Sequence, residues 1–218
     1  MADRVSAGQA LAKKLASYAN RSDVIVLALP RGGVPVAYEV ARALNAPLDV
    51  FIVRKLGVPG YEELAMGALA TGNVRVLNEK LITDLGIKSE WVDQVIAREQ
   101  RELARRDALY RGGSKPLSVQ GRTVIVVDDG LATGSTMRAA VTALKKAGPK
   151  EIIVAAPVAA RETCESFNED FNSTCVCVMS PEPFAGVGRW YRDFSQTTDE
   201  EVCYLLKRAR QLPHQRVA

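Results

Sequence analysis

The chain has 218 residues, 47% of them hydrophobic and 25% charged, with a formal net charge of +4. That is enough apolar material for a substantial core, and it excludes a disordered chain. No apolar run approaches the ~18 residues a membrane-spanning helix needs, and the net charge is too small to argue nucleic-acid binding by itself. Charges at Asp3, Arg4, Lys13 and Lys14 leave no room for a signal-peptide apolar stretch. The four cysteines, Cys164, Cys175, Cys177 and Cys203, have neither CxxC spacing nor the pattern of a disulfide framework. Free thiols in a reducing cytoplasm are therefore expected, in a globular protein without a membrane partner.

Short β-branched runs alternate with helical segments, the pattern of an α/β fold with a central parallel sheet flanked by helices. Residues 24–29 read as the first strand, followed by the turn Pro30-Arg31-Gly32-Gly33 and a helix to about Leu44. Residues 47–53 read as a second strand. The next stretch breaks this rhythm. Residues 64–70 and 74–77, either side of Thr71-Gly72-Asn73, suit a β-hairpin. Residues 88–111 suit a long helix that gathers Val92, Val95, Ile96, Leu103 and Tyr110 on one face. Glu99 and Arg106 fall in the same stripe, which implies either pairing at a helix interface or a charged pair set against a ligand or subunit. Residues 124–127, 152–156 and 174–178 supply three further strands, apolar without alternation, as expected of strands covered on both faces. A helix from Ser135 to about Ala147 stops at Gly148-Pro149. The expected organisation is one domain over residues 1–218, with an inserted hairpin-helix excursion at about 57–115 and a small hood at about 179–196.

The stretch Val124-Ile125-Val126-Val127-Asp128-Asp129-Gly130-Leu131-Ala132-Thr133-Gly134-Ser135-Thr136 carries the chemistry. An apolar strand ends in two adjacent carboxylates, then passes through a small, hydroxylated loop into a helix. The first N–H groups of a helix lack intrahelical partners, and the helix dipole favours an anion beside them. Gly134 allows close backbone approach, and Thr133, Ser135 and Thr136 add hydroxyl donors for a phosphate. Two carboxylates just upstream would repel that phosphate if they shared its position. At the strand end they suit sugar hydroxyls, a cation, or water bound to one. No Gly-Lys-Ser/Thr follows, and the glycines do not make GxGxxG, so neither a Walker loop nor a dinucleotide fingerprint is present.

This segment resembles the signature of type I phosphoribosyltransferases, in which four apolar residues precede two acidic ones and a Thr/Gly/Ser loop. Arg31-Gly32-Gly33 resembles that family's pyrophosphate loop. Phe184-Ala185-Gly186-Val187-Gly188 and Trp190-Tyr191-Arg192-Asp193-Phe194 resemble the base-binding hood of its 6-oxopurine enzymes. Arg54 to Gly57 and Glu63 to Ala68 look like blocks of uncharacterised bacterial phosphoribosyltransferase-like proteins.

By that resemblance, Ala132, Thr133, Gly134, Ser135 and Thr136 hold the 5-phosphate of 5-phosphoribosyl-1-pyrophosphate. Asp128 and Asp129 hold the ribose 2- and 3-hydroxyls and, directly or through water, a magnesium ion. Arg31, Gly32 and Gly33 receive the pyrophosphate, with charge from Lys55 and Arg192. Asp128, Asp129, Arg31 and Arg192 would be catalytic, and Phe184, Val187, Trp190 and Tyr191 would face the acceptor. Residues 57–72 would form a lid. The pattern departs from hypoxanthine-guanine enzymes at Ala132, where they carry an acid, and in a shorter hood, which argues against a 6-oxopurine. The implied partners are the donor, an unidentified nitrogen base or amine, and a second copy in a homodimer.

Two other functions fit the same fold. One is a nucleotide- or RNA-binding regulator, served by Arg98, Arg101, Arg105, Arg106 and Arg111. The interleaved Glu99, Glu102 and Asp107 favour a solvated mixed-charge face instead. The other is hydrolysis of a phosphoribosyl compound. His214, the single histidine, is expected to be a solvated tail residue.

Overall fold

The computed structural model describes residues 1–212, so His214 lies outside the described residues. In chain order the elements are α1 (Arg4–Lys14), β1 (Val24–Ala28), α2 (Gly33–Leu44), β2 (Leu48–Val50), β3 (Val53–Val58), β4 (Tyr61–Ala70) and β5 (Val74–Leu77). They continue with α3 (Glu79–Asp84), α4 (Ser89–Arg111), β6 (Thr123–Val127), α5 (Ser135–Lys146), β7 (Glu151–Val158), α6 (Arg161–Phe171), β8 (Thr174–Met179) and α7 (Asp199–Ala209).

Five strands form an all-parallel sheet in the order β2-β1-β6-β7-β8. Alternate residues of each strand enter different cores, which is why the strands read as unbroken apolar runs. Val24, Val26 and Ala28 of β1, with Ile125 and Val127 of β6, pack beneath α1, α2 and α7. Ile25 and Leu27, with Val124 and Val126, face Met137, Val141 and Leu144 of α5 and Phe167 of α6. No helix among the described residues is long and apolar enough to cross a membrane.

The excursion is a second, antiparallel sheet in the order β3-β4-β5, backed by α4. Leu56, Val58, Met66 and Leu69 of the sheet pack on Val92, Val95 and Ile96 of the helix. The expected second strand at 47–53 is therefore two elements. β2 ends at Val50, and Val53 starts a strand of the other sheet, its apolar signal masked by Arg54 and Lys55. The segment expected as a lid is mostly β4, with Met66 and Leu69 packed in this small core. Glu99 is buried and paired with Arg54, Nη2 to Oε2 at 2.6 Å, so the charge within the helix stripe serves an interface between elements.

Two expectations are corrected. Cys164 and Cys175 form a disulfide, while Cys177 and Cys203 are free. The short connection from α6 to β8 brings the two Cα atoms to 5.5 Å, a pairing made by helix-on-sheet packing and invisible in cysteine spacing. Arg111, grouped above with solvent-facing arginines, is buried and bonded to Asp49, Asp107 and the Val50 carbonyl. Arg105 and Arg106 both pair with Glu102, as helical spacing predicts.

Candidate active site

In the order β2-β1-β6-β7-β8 the direction of winding reverses between β1 and β6. Ligands of open parallel sheets bind at such a switch point, beyond the carboxyl ends of the strands. β1 and β6 are in register to their ends, Ala28 opposite Val127, and the Leu29 N–H donates to the Val127 carbonyl at 2.9 Å. The loop after β1 and the acidic pair after β6 must therefore meet. They do so without space for a side chain. A Cβ on Gly33 would lie 2.6 Å from the Val127 carbonyl oxygen and 3.0 Å from the Asp128 Cα; one on Gly32 would lie 2.0 Å from Asp129 Oδ2. Gly33 is required by this backbone contact, and a side chain at Gly32 would displace the Asp129 carboxylate.

The two carboxylates are partly buried. Asp128 Oδ1 accepts the Asp129 N–H at 2.9 Å. Burial pushes the Asp128 carboxyl well above the usual carboxylate range, and the adjacent Asp129 charge adds to the rise. Burial raises Asp129 as well, against the opposing pull of Arg4. Arg4, at the start of α1, reaches Asp129 Oδ2 with Nε at 2.9 Å and Nη2 at 2.8 Å. Tyr191 is buried, and its hydroxyl donates to the Asp129 carbonyl at 2.6 Å.

Beyond the pair, Leu131 is buried while Ala132, Thr133, Ser135 and Thr136 are exposed. Gly134, the N-cap of α5, has φ +67°, and the Thr133 hydroxyl accepts the Ser135 N–H at 3.4 Å. A Cβ on Gly134 would meet Thr163 Cγ2 at 2.7 Å and the Phe167 ring at 3.2 Å. Thr163 also donates from Oγ1 to the Ala132 carbonyl at 2.5 Å. The loop is thus braced from below by α6, with its hydroxyls and the start of α5 turned to solvent, a geometry that can receive a phosphate.

The family model for the phosphoribosyl transferase domain matches residues 3–171. The chain belongs to the phosphoribosyl transferase family. It is 42% identical over 207 residues to Rv0571c of Mycobacterium tuberculosis, whose name places it provisionally among phosphoribosyl transferases; the match covers 95% of this chain and 46% of that protein. The chain therefore spans about half the length of the curated relatives it matches first. A bifunctional protein PyrR from Brevibacillus brevis is 29% identical over 119 residues, 52% of this chain and 65% of that one. Among solved structures, TT1426 from Thermus thermophilus superimposes with a TM-score of 0.83 at 40% identity, covering 94% of this chain and 98% of its own.

Within this phosphoribosyl transferase fold, Gly32, Gly33, Asp128 and Asp129 are in direct contact, and residues 132–136 follow on the same strand end. Val187 joins them, since a Cβ on Gly130 would lie 2.3 Å from its side chain. Phe184, Val187 and Trp190 pack with Tyr191, Ala7 and Val158 in a small cluster that seats the hood on α1 and β7. The hood lies beyond the residues the family model matches. Three expected residues stand apart. The Arg31 guanidinium rests 3.8 Å from Asp199, which also accepts from the Tyr110 hydroxyl at 2.5 Å. Lys55 lies on β3 of the second sheet, and among the described residues no ion pair or hydrogen bond links it to the acidic pair. Arg192 is exposed, and its backbone N–H donates to the Met1 carbonyl at 3.0 Å. Sequence reasoning missed Arg4 and Thr163. Asp3, which caps α1, signals a helix start beside Arg4, but nothing local points to a partner 125 residues away.

Proposed function

We propose that this phosphoribosyl transferase domain moves the phosphoribosyl group from 5-phosphoribosyl-1-pyrophosphate to a nitrogen base or amine and releases pyrophosphate. The observation that carries this reading is the contact of the Gly32-Gly33 backbone with Asp128 and Asp129 at the switch point, continuous with an anion-receiving loop. A sugar held by its hydroxyls on the carboxylates would have its 5-phosphate beside residues 132–136 and its pyrophosphate beside Gly32 and Gly33. The anomeric C–O bond breaks with its electron pair leaving on pyrophosphate. The nitrogen lone pair of the acceptor forms the new C–N bond, and the acceptor gives up a proton.

Positive charge develops on the sugar in that step, and the Asp128–Asp129 pair stabilises it electrostatically. Arg31 and Arg192 are proposed to meet the pyrophosphate, Arg31 by leaving Asp199, from which it is separated by a long 3.8 Å contact about a third exposed to water. Lys55 would add charge from the second sheet. Among the described residues no cluster of three or more His, Cys, Asp or Glu could cage an ion. Two carboxylates and no cage fit magnesium carried largely by donor oxygens and water. A cation bound there would neutralise charge on the leaving group. Phe184, Val187 and Trp190 are the proposed acceptor-facing residues. A homodimer completes the proposal, to be checked by sedimentation equilibrium.

The test is pyrophosphate release from the donor and magnesium with purine bases, pyrimidine bases and amines in turn. Release that depends on one acceptor class, and that falls about a hundredfold or more in Asp128→Asn/Asp129→Asn, is the expected outcome, on the scale of losing preorganised electrostatic groups. Donor breakdown at one rate whatever the acceptor would replace transfer with hydrolysis.

A further inference from the structure

Arg4 occupies a position that its own helix disfavours. It is the first residue of α1, whose first turn holds no acidic residue, so its charge faces the positive end of the helix dipole. A local conflict of this kind is compensated by tertiary contacts where it persists, and it tends to mark functional positions. Every contact of the Arg4 guanidinium is in the candidate site. Nε and Nη2 grip Asp129 Oδ2 at 2.9 and 2.8 Å, and Nη1 donates to the Ser195 carbonyl at 2.6 Å. The Phe194 ring lies 4.1 Å beneath the guanidinium carbon. Only 12% of the Arg4 side chain and 15% of that of Asp129 is exposed, so the pair is shielded from water and screening is weak.

The same contacts bind the hood. Phe194 packs on Tyr191 at 5.0 Å between centroids, and Tyr191 donates to the Asp129 carbonyl. The Arg192 and Asp193 N–H groups donate to the Met1 and Ala2 carbonyls, at 3.0 and 2.9 Å, immediately before Arg4. Asp129 is therefore held from three sides: by Gly32 beneath its carboxylate, by Arg4 across it, and by Tyr191 on its backbone. Three of the five Arg4 N–H groups are engaged by Asp129 and Ser195, and the side chain is largely buried, so Arg4 acts chiefly through Asp129.

We propose that Arg4 is a positioning residue of the transfer reaction. By clamping the Asp129 carboxylate between α1 and the hood, it fixes the orientation in which that carboxylate meets the ribose hydroxyls. The inference rests on the donor reading given above.

The experiment is a thermodynamic cycle by titration calorimetry with 5-phosphoribosyl-1-pyrophosphate and magnesium, on the wild type, Arg4→Met, Asp129→Asn and the double variant. Arg4→Met is expected to weaken binding by about tenfold to a hundredfold, the range for a charge-assisted contact. The double variant is expected to bind no worse than Asp129→Asn, because Arg4 acts through that residue. Arg4→Lys, which keeps charge but loses the fork, is expected to recover affinity in part. Multiplying effects in the double variant, or no recovery of affinity in Arg4→Lys, overturns the positioning role while leaving the donor site standing. If Arg4→Met does not fold, the same cycle is run with Arg4→Lys, and affinity equal to the wild type overturns the role. Absence of wild-type binding overturns the donor reading itself, and this inference with it.

Discussion

Burial holds a proton on Asp128 to higher pH in the folded chain than in the unfolded one, and the neighbouring Asp129 charge acts in the same direction. Above the ordinary carboxylate pKa the folded state then binds more protons than the unfolded state. This contribution makes stability fall as pH rises, until the buried group has ionised. The site is thus maintained at a cost to the fold, the usual relation between activity and stability. Asp128→Asn is expected to stabilise the protein, with a larger gain at about pH 8 than at about pH 5, while donor binding is lost. Urea denaturation at the two pH values checks this. A variant less stable than the wild type at both would show that the carboxylate supports the fold. The acidic pair was legible because chemistry and position coincide in consecutive residues. Arg4 was not, because its role arises from a contact 125 residues away.

At the scale of elements, the phosphate-receiving loop depends on a helix that supplies it with no ligand. Thr163 and Phe167 of α6 fill the space under Gly134, and Thr163 donates to the Ala132 carbonyl. Thr163→Val keeps the shape and removes the hydrogen bond. It is expected to cost about 1 kcal/mol and to weaken donor affinity severalfold by loosening the loop. Thermal melting and donor titration together check it, and unchanged affinity in the folded variant would confine Thr163 to the core. The covalent link from Cys164 to Cys175 ties the same helix to β8, next to this brace. The parallel strands were readable because both faces are buried, which erases alternation. The boundary of the second sheet was not readable. Arg54 and Lys55 interrupt β3, and Arg54 is tolerated there because Glu99 of α4 comes to meet it.

For the whole molecule, the fold gathers four distant segments at one end of the sheet: the loop after β1, the acidic loop after β6, the start of α1, and the hood. The first two carry glycines and carboxylates that must touch, and the resemblance to phosphoribosyltransferases was visible from them. The last two close around Asp129 through contacts that only the folded chain creates. The central claim is that this convergence binds 5-phosphoribosyl-1-pyrophosphate. The most direct measurement is titration calorimetry of the full chain with that donor and magnesium, beside Asp128→Asn/Asp129→Asn. Saturable one-to-one binding is expected, with a Kd on the order of micromolar, weakened about a hundredfold or more in the double variant. Equal affinity in the two proteins, or no saturable heat from the wild type up to roughly millimolar donor, would contradict the claim.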